Sequence, residues 1–164
     1  VKTEGLAMPA TPIAIRATDQ PVKVGTDYPA PHDAPCRQRR RHTLGDAFGL
    51  SQFGVNLLEL PPGSWSSQRH WHERQDELVY VLDGEVTLVT DEGETTLTQG
   101  MTAGFRAGSG NGHHLVNRSD TTVRVLEVGT RTIEEVARYP DIGMMYREDA
   151  GGSGYFTTDG RPLK

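Results

Sequence analysis

At 164 residues, with 35% hydrophobic and 24% charged side chains, the chain is long enough for one domain around a single core and too short for two of ordinary size. Its formal net charge of -5 gives no long-range attraction to nucleic acid or to an anionic membrane, so neither is an expected partner; the local cluster Arg37, Arg39, Arg40 and Arg41 reads as a solvated face or a set of salt bridges. A single cysteine, Cys36, excludes an internal disulfide framework, and no apolar run is long enough to span a bilayer, which together make the cytoplasm the expected location.

Residues 1–7 precede Met8-Pro9, which reads as a translation start, and are set apart as a leader. From Met8 to about Pro35 the chain is rich in Pro, Ala and Thr, with only short apolar runs at Ile13-Ala14-Ile15 and Val22-Lys23-Val24. Residues 1–52 are therefore expected to form an extended arm packing on the core or on a partner subunit. Cys36, with His32 nearby across prolines, reads as a bystander.

Residues 53–129 carry a regular β pattern. Gln52 to Leu60 holds Val55, Leu57 and Leu60 in an apolar strand stopped by Pro61-Pro62-Gly63. A second strand is expected from about Ser66 to His72, then a polar turn over Glu73 to Asp76. Glu77 to Leu82 is β-branched and aromatic, and Asp83-Gly84 is a hairpin signal leading into Glu85 to Thr90. Thr95 to Thr98, Thr102 to Phe105, His113 to Asn117 and Thr122 to Val128 complete the series. Short strands at this spacing, with 19 Gly and 10 Pro, predict an all-β sandwich or barrel. In residues 130–164 the pattern fades: Ile133 to Arg138 suits one or two turns of helix, and the glycine-rich remainder is expected to wrap the core.

The chemistry concentrates in His70-Trp71-His72 and Glu77. Residues two apart on a strand share a face, so both histidines point the same way, and the short turn brings Glu77 back opposite them. Two imidazoles and a carboxylate on one side of an ion hold Fe(II) or a related first-row metal and leave positions open. Downstream, His113-His114 must send one imidazole inward and the other outward. Without an ion, three buried imidazoles and a carboxylate would need exhaustive hydrogen bonding, which makes a purely structural network costly.

These two segments resemble the paired motifs of the cupin superfamily. Gly63, His70, His72, Glu77 and Gly84 match the first motif with one extra residue after Gly63; Gly100, Gly108, His113 and Asn117 fill the second. Arg106 stands where proline is usual, and Ser109 to Gly112 lengthens the turn by two residues. The His-x3-Asn spacing selects His113 over His114. The resemblance implies a double-stranded β-helix, the cupin jelly-roll barrel, holding one divalent transition metal (Zn, Mn, Fe, Ni or Co) through His70, His72, Glu77 and His113. It also implies a homodimer. Gln68, on the strand face of the histidines, and Arg106, in the loop before His113, are candidate substrate-binding residues.

Among small bacterial cupins the resemblance is to the sugar-phosphate-isomerase-like group. It implies a metal-dependent enzyme acting on a small oxygenated metabolite such as a sugar or sugar phosphate, by isomerisation or epimerisation. One alternative is a mononuclear Fe(II) dioxygenase, which needs no separate base; another is a non-catalytic binding or sensor module, for which no helix-turn-helix or other output domain is evident. For isomerisation the base must be a group other than Glu77, and no second carboxylate stands out by its spacing.

Overall fold

Strand alternation sorts side chains to two faces, and in this chain it separates an apolar interior from a polar exterior over most of its length. The computed structural model describes residues 12–163, so the leader assigned to residues 1–7 and the start at Met8 lie outside the described residues. The strands are β1 (Val22–Val24), β2 (Arg40–Thr43), β3 (Phe53–Leu60), β4 (Trp71–His72), β5 (Glu77–Asp83), β6 (Glu85–Thr90), β7 (Gly93–Thr98), β8 (Thr102–Phe105), β9 (His114–Val116), β10 (Val123–Thr130), β11 (Glu135–Tyr139), β12 (Met144–Asp149) and β13 (Gly152–Thr157). One short helix, α1 (Leu44–Ala47), follows β2. The all-β expectation holds. No described helix is long and apolar enough to cross a membrane.

The ladders form three sheets. The largest runs β1-β2-β3-β10-β5-β8, a second runs β13-β12-β11-β4, and a third runs β7-β6-β9. All pairings are antiparallel. The main core lies between the first and third sheets: Leu58 and Leu60, Val79 and Val81, and Val123 and Val125 meet Val86, Leu88, Leu97 and Leu115. A second core joins Tyr28 and Cys36, from the N-terminal segment, to Ala137, Tyr139 and Met144 of the second sheet.

Four local expectations are corrected. The Ser66 to His72 strand shrinks to β4, preceded by isolated bridges Trp65 to Val116 and His70 to His113, because the Ser66 hydroxyl takes the Leu115 N–H of β9 that a continuous ladder would give to a backbone carbonyl. Asp83-Gly84 does not close a hairpin: β5 pairs with β10 and β8, whereas β6 pairs with β7 and β9. Gly84 is a corner between sheets, with φ +85°, and a Cβ there would lie 3.1 Å from Val123 Cγ2. Ile133 to Arg138 is not helical. Glu135, Ala137 and Tyr139 are buried in alternation, and pairing with β12 and β4 overrides a weak local preference. Finally, the N-terminal segment is more than an arm, since β1 and β2 extend the largest sheet.

Candidate metal centre

The inner face of the largest sheet changes character along its strands. Leu60 sits beside Val123, and Leu58 beside Val125, which in turn faces Val81. One pleat further on, Asn56 sits beside Glu127, which pairs with Val79; beyond that, Gly54 and Gly129 lead to Glu77 and Phe105. The apolar floor thus gives way to a polar mouth, where a cavity of about 700 Å³ opens. Its wall includes Arg39, Arg41, Asn56, Glu127 and the residues predicted as ligands.

Three imidazoles converge on one carboxylate oxygen. Glu77 Oε2 lies 2.9 Å from His113 Nε2, 3.4 Å from His72 Nε2 and 3.6 Å from His70 Nε2. Among the described residues, His70, Glu77 and His113 each offer a donor atom within 4.8 Å of the other two, and His72 joins through its contact with Glu77. Neighbouring ligands bound to one cation at ~2.1 Å are themselves separated by about 3.0 to 3.4 Å, so the spacing around Glu77 suits a shared ion.

The outer nitrogens orient the rings. His70 Nδ1 donates to the Gln68 carbonyl at 2.9 Å, which leaves its Nε2 lone pair facing Glu77. His72 Nδ1 lies 3.5 Å from Oε1 of Glu135, a buried carboxylate that accepts backbone N–H groups from Glu73 and Arg74. The ring of His113 stacks on Phe105, centroids 3.5 Å apart, and its buried Nδ1 has no hydrogen-bond partner among the described residues. The donor set and the lone pair facing inward fit a cation held by these four side chains.

Electrostatics agree. Burial pushes the Glu77 carboxyl up, but hydrogen bonds from His113 and His70 and the charges of His70 and His72 outweigh it and hold the group well below the usual carboxylate range. Burial pulls His113 down, favouring the neutral imidazole that a metal requires. For His72, burial pulls down while Glu135 and Glu77 pull up, and the carboxylates prevail.

Other expected site residues are placed elsewhere. Gln68 is buried, but its amide donates to the His32 carbonyl at 2.6 Å and does not line the cavity, because the chain around it is a bend rather than the strand that would aim it inward. Its backbone oxygen, not its side chain, serves the site. Arg106 is exposed and does not line the main cavity, but it borders a small adjoining crevice together with His72, Glu77, Phe105 and His113, beside the ligand cluster. His114 is held by the Ser67 carbonyl at 3.0 Å and packs edge-on against Trp65. Cys36 is fully buried, and burial pushes its thiol up to about 11.

Sequence reasoning missed Arg39, Arg41, Glu127, Glu135 and Tyr139. Alternation was the available signal. Arg39 and Arg41 are two apart, as are Val123, Val125 and Glu127, so a carboxylate falls on an otherwise apolar inward face.

Comparison with known proteins follows the same lines. The family model described as Cupin domain matches residues 56–129. A solved structure named as a sugar phosphate isomerase from a cupin superfamily, from Silicibacter pomeroyi, is 45% identical with a TM-score of 0.88, covering 92% of this chain and 96% of its own. A second, provisionally named a sugar phosphate isomerase, from Acidithiobacillus ferrooxidans, is 30% identical with a TM-score of 0.70, covering 77% and 81%. A polyketide cyclase from Streptomyces resistomycificus, 22% identical with a TM-score of 0.60 and coverage of 71% and 78%, shares the fold alone. A search of curated proteins returns no match.

Proposed function

The chain belongs to the cupin superfamily, and on that premise we propose that it is a divalent-metal-dependent isomerase or epimerase of a small oxygenated metabolite such as a sugar or sugar phosphate. The observation that carries the reading is the convergence of His70, His72 and His113 on Glu77 at the wall of a cavity large enough for such a ligand. The names of the Silicibacter pomeroyi and Acidithiobacillus ferrooxidans relatives, 45% and 30% identical, support it.

A divalent ion held by His70, His72, Glu77 and His113 would supply Lewis-acid polarisation of substrate oxygens. The chain's own residues do the rest. The Gln68 carbonyl fixes the ring of His70, the Glu135 carboxylate attracts the Nδ1 side of His72 from 3.5 Å, and Phe105 covers the face of His113 and excludes water from it. Isomerisation also needs a proton carrier. Glu127, the second carboxylate on the inner face of the sheet, lies one pleat from Glu77 with its Oε2 3.0 Å from Arg41 Nε, and we assign it to take the proton from the substrate carbon. A dioxygenase would need no such carboxylate, which favours the isomerase.

The test is reconstitution of metal-free protein with Mn, Fe, Co, Ni or Zn, followed by aldose and ketose phosphates in heavy water under proton NMR. Expected is metal-dependent interconversion with deuterium entering next to the carbonyl, reduced at least 100-fold in Glu127→Gln. Dioxygen consumption with no deuterium incorporation would contradict it.

A further inference from the structure

The cavity holds one positive charge that nothing neutralises. Arg39 is only 7% exposed; its Nε donates to the Gly25 carbonyl at 3.0 Å and Nη1 donates to the Ser66 carbonyl. Among the described residues no carboxylate lies within 4.0 Å of it, and these two hydrogen bonds leave its Nη2 uncommitted. The carboxylates on the same wall are engaged elsewhere: Asp27 by Lys23, Asp46 by Arg131 and Glu127 by Arg41. A buried guanidinium without a counterion is a costly arrangement unless an anion completes it. Even Arg41, paired as it is, keeps a buried Nε without a well-aligned hydrogen bond.

A tyrosine wall connects this charge to the histidine cluster. The Arg39 guanidinium lies 6.0 Å from the Tyr28 ring, Tyr28 meets Tyr139 edge-on at 5.4 Å, and Tyr139 stacks on His70 at 5.5 Å. Tyr155 borders the cavity beside Tyr28. Burial pushes these three hydroxyls above the ordinary phenol value, against the pull of Arg39 on Tyr28 and Tyr155, so they stay neutral donors. One end of the cavity therefore presents cationic and neutral donors, and the other presents metal ligands.

We infer that Arg39, flanked by Arg41 and the tyrosine hydroxyls, is an anion subsite that binds the phosphate or carboxylate end of the substrate while its remaining oxygens face the histidine cluster. This assigns an anionic rather than a neutral substrate and rests on the reading of the cavity given above. Guanidinium suits both anions because its planar fork donates in pairs.

The test uses chelator-treated protein, so that phosphate cannot bind through a metal, and titrates inorganic phosphate, malonate and glycerol by calorimetry. Phosphate or malonate should bind and glycerol should not, the tighter anion identifying the substrate group. Arg39→Gln should weaken binding at least tenfold, and Arg39→Lys should weaken it less. Glu127→Gln, which frees Arg41, should tighten binding severalfold, a response that a structural role for Arg39 does not produce. Circular dichroism and metal stoichiometry measured on the same variants separate the two claims. Normal metal content with anion binding indifferent to both Arg39 variants overturns the subsite and leaves the metal reading standing; anion binding without metal uptake does the reverse.

Discussion

The floor and the mouth of the same sheet are built by the same alternation yet hold together by different means. On the floor, Leu58, Leu60, Val81, Val123 and Val125 are completely buried, and each contributes by leaving water. At the mouth, Arg41, Glu77 and Glu127 of this sheet meet three histidines brought from outside it, and burial there is unfavourable unless every group finds a partner. The floor stabilises the fold; the mouth draws on that stability to keep unpaired ligands in place. Changes to the floor should therefore alter stability without chemistry, and changes to the mouth should do the opposite.

The largest effect is expected from Leu58→Ala, which removes a fully buried side chain between two sheets. Urea unfolding should show a loss of about 3 kcal/mol, with metal content at room temperature unchanged. A loss below about 1 kcal/mol would mean that the floor is not the main source of stability. Glu135→Gln should act chiefly at the mouth: by ceasing to orient His72 it should weaken metal affinity roughly 10- to 100-fold in competition with a chelator. Unaltered affinity would show that Glu135 serves only the backbone N–H groups of Glu73 and Arg74.

The smallest effect concerns a strap outside both regions. Arg69 donates to Asp141 at 2.8 Å, and this hydrogen bond holds the carboxyl below its ordinary value. A carboxylate whose folded value is depressed stabilises the protein at pH above its unfolded value, and that contribution is lost as pH falls through the folded value. Asp141→Asn should flatten the acid limb of the stability profile by less than about 1 kcal/mol, since the Asp141 side chain is half-exposed and solvent screens the pair. An unchanged limb would remove the strap from the account.

Much of this was legible in the residues. Strand boundaries at β3, β5, β6 and β8 follow from apolar alternation and turn residues, and the convergence of His70, His72 and His113 near Glu77 follows from period-two spacing and motif order. Two kinds of information were not local. Gly84 looks like a hairpin turn because a left-handed glycine serves equally well at a corner between sheets, and only the pairing partners distinguish them. Arg39 and Arg41 look like surface charges because their short segment does not say which face is covered until strands from distant parts of the chain come together, whereas Val123, Val125 and Glu127 already alternate onto one face. Gln68 lies off the cavity wall for the related reason that residues 66–69 form a bend rather than a strand, which redirects the side chain.

The central claim is that His70, His72, Glu77 and His113 hold one divalent ion. The most direct measurement is elemental analysis of protein purified without chelators, for the natural sequence and for His70→Ala and His113→Ala. The account expects about one equivalent of a divalent transition metal in the first and its loss in both variants, with circular dichroism unchanged. Full stoichiometric metal in both variants would contradict it.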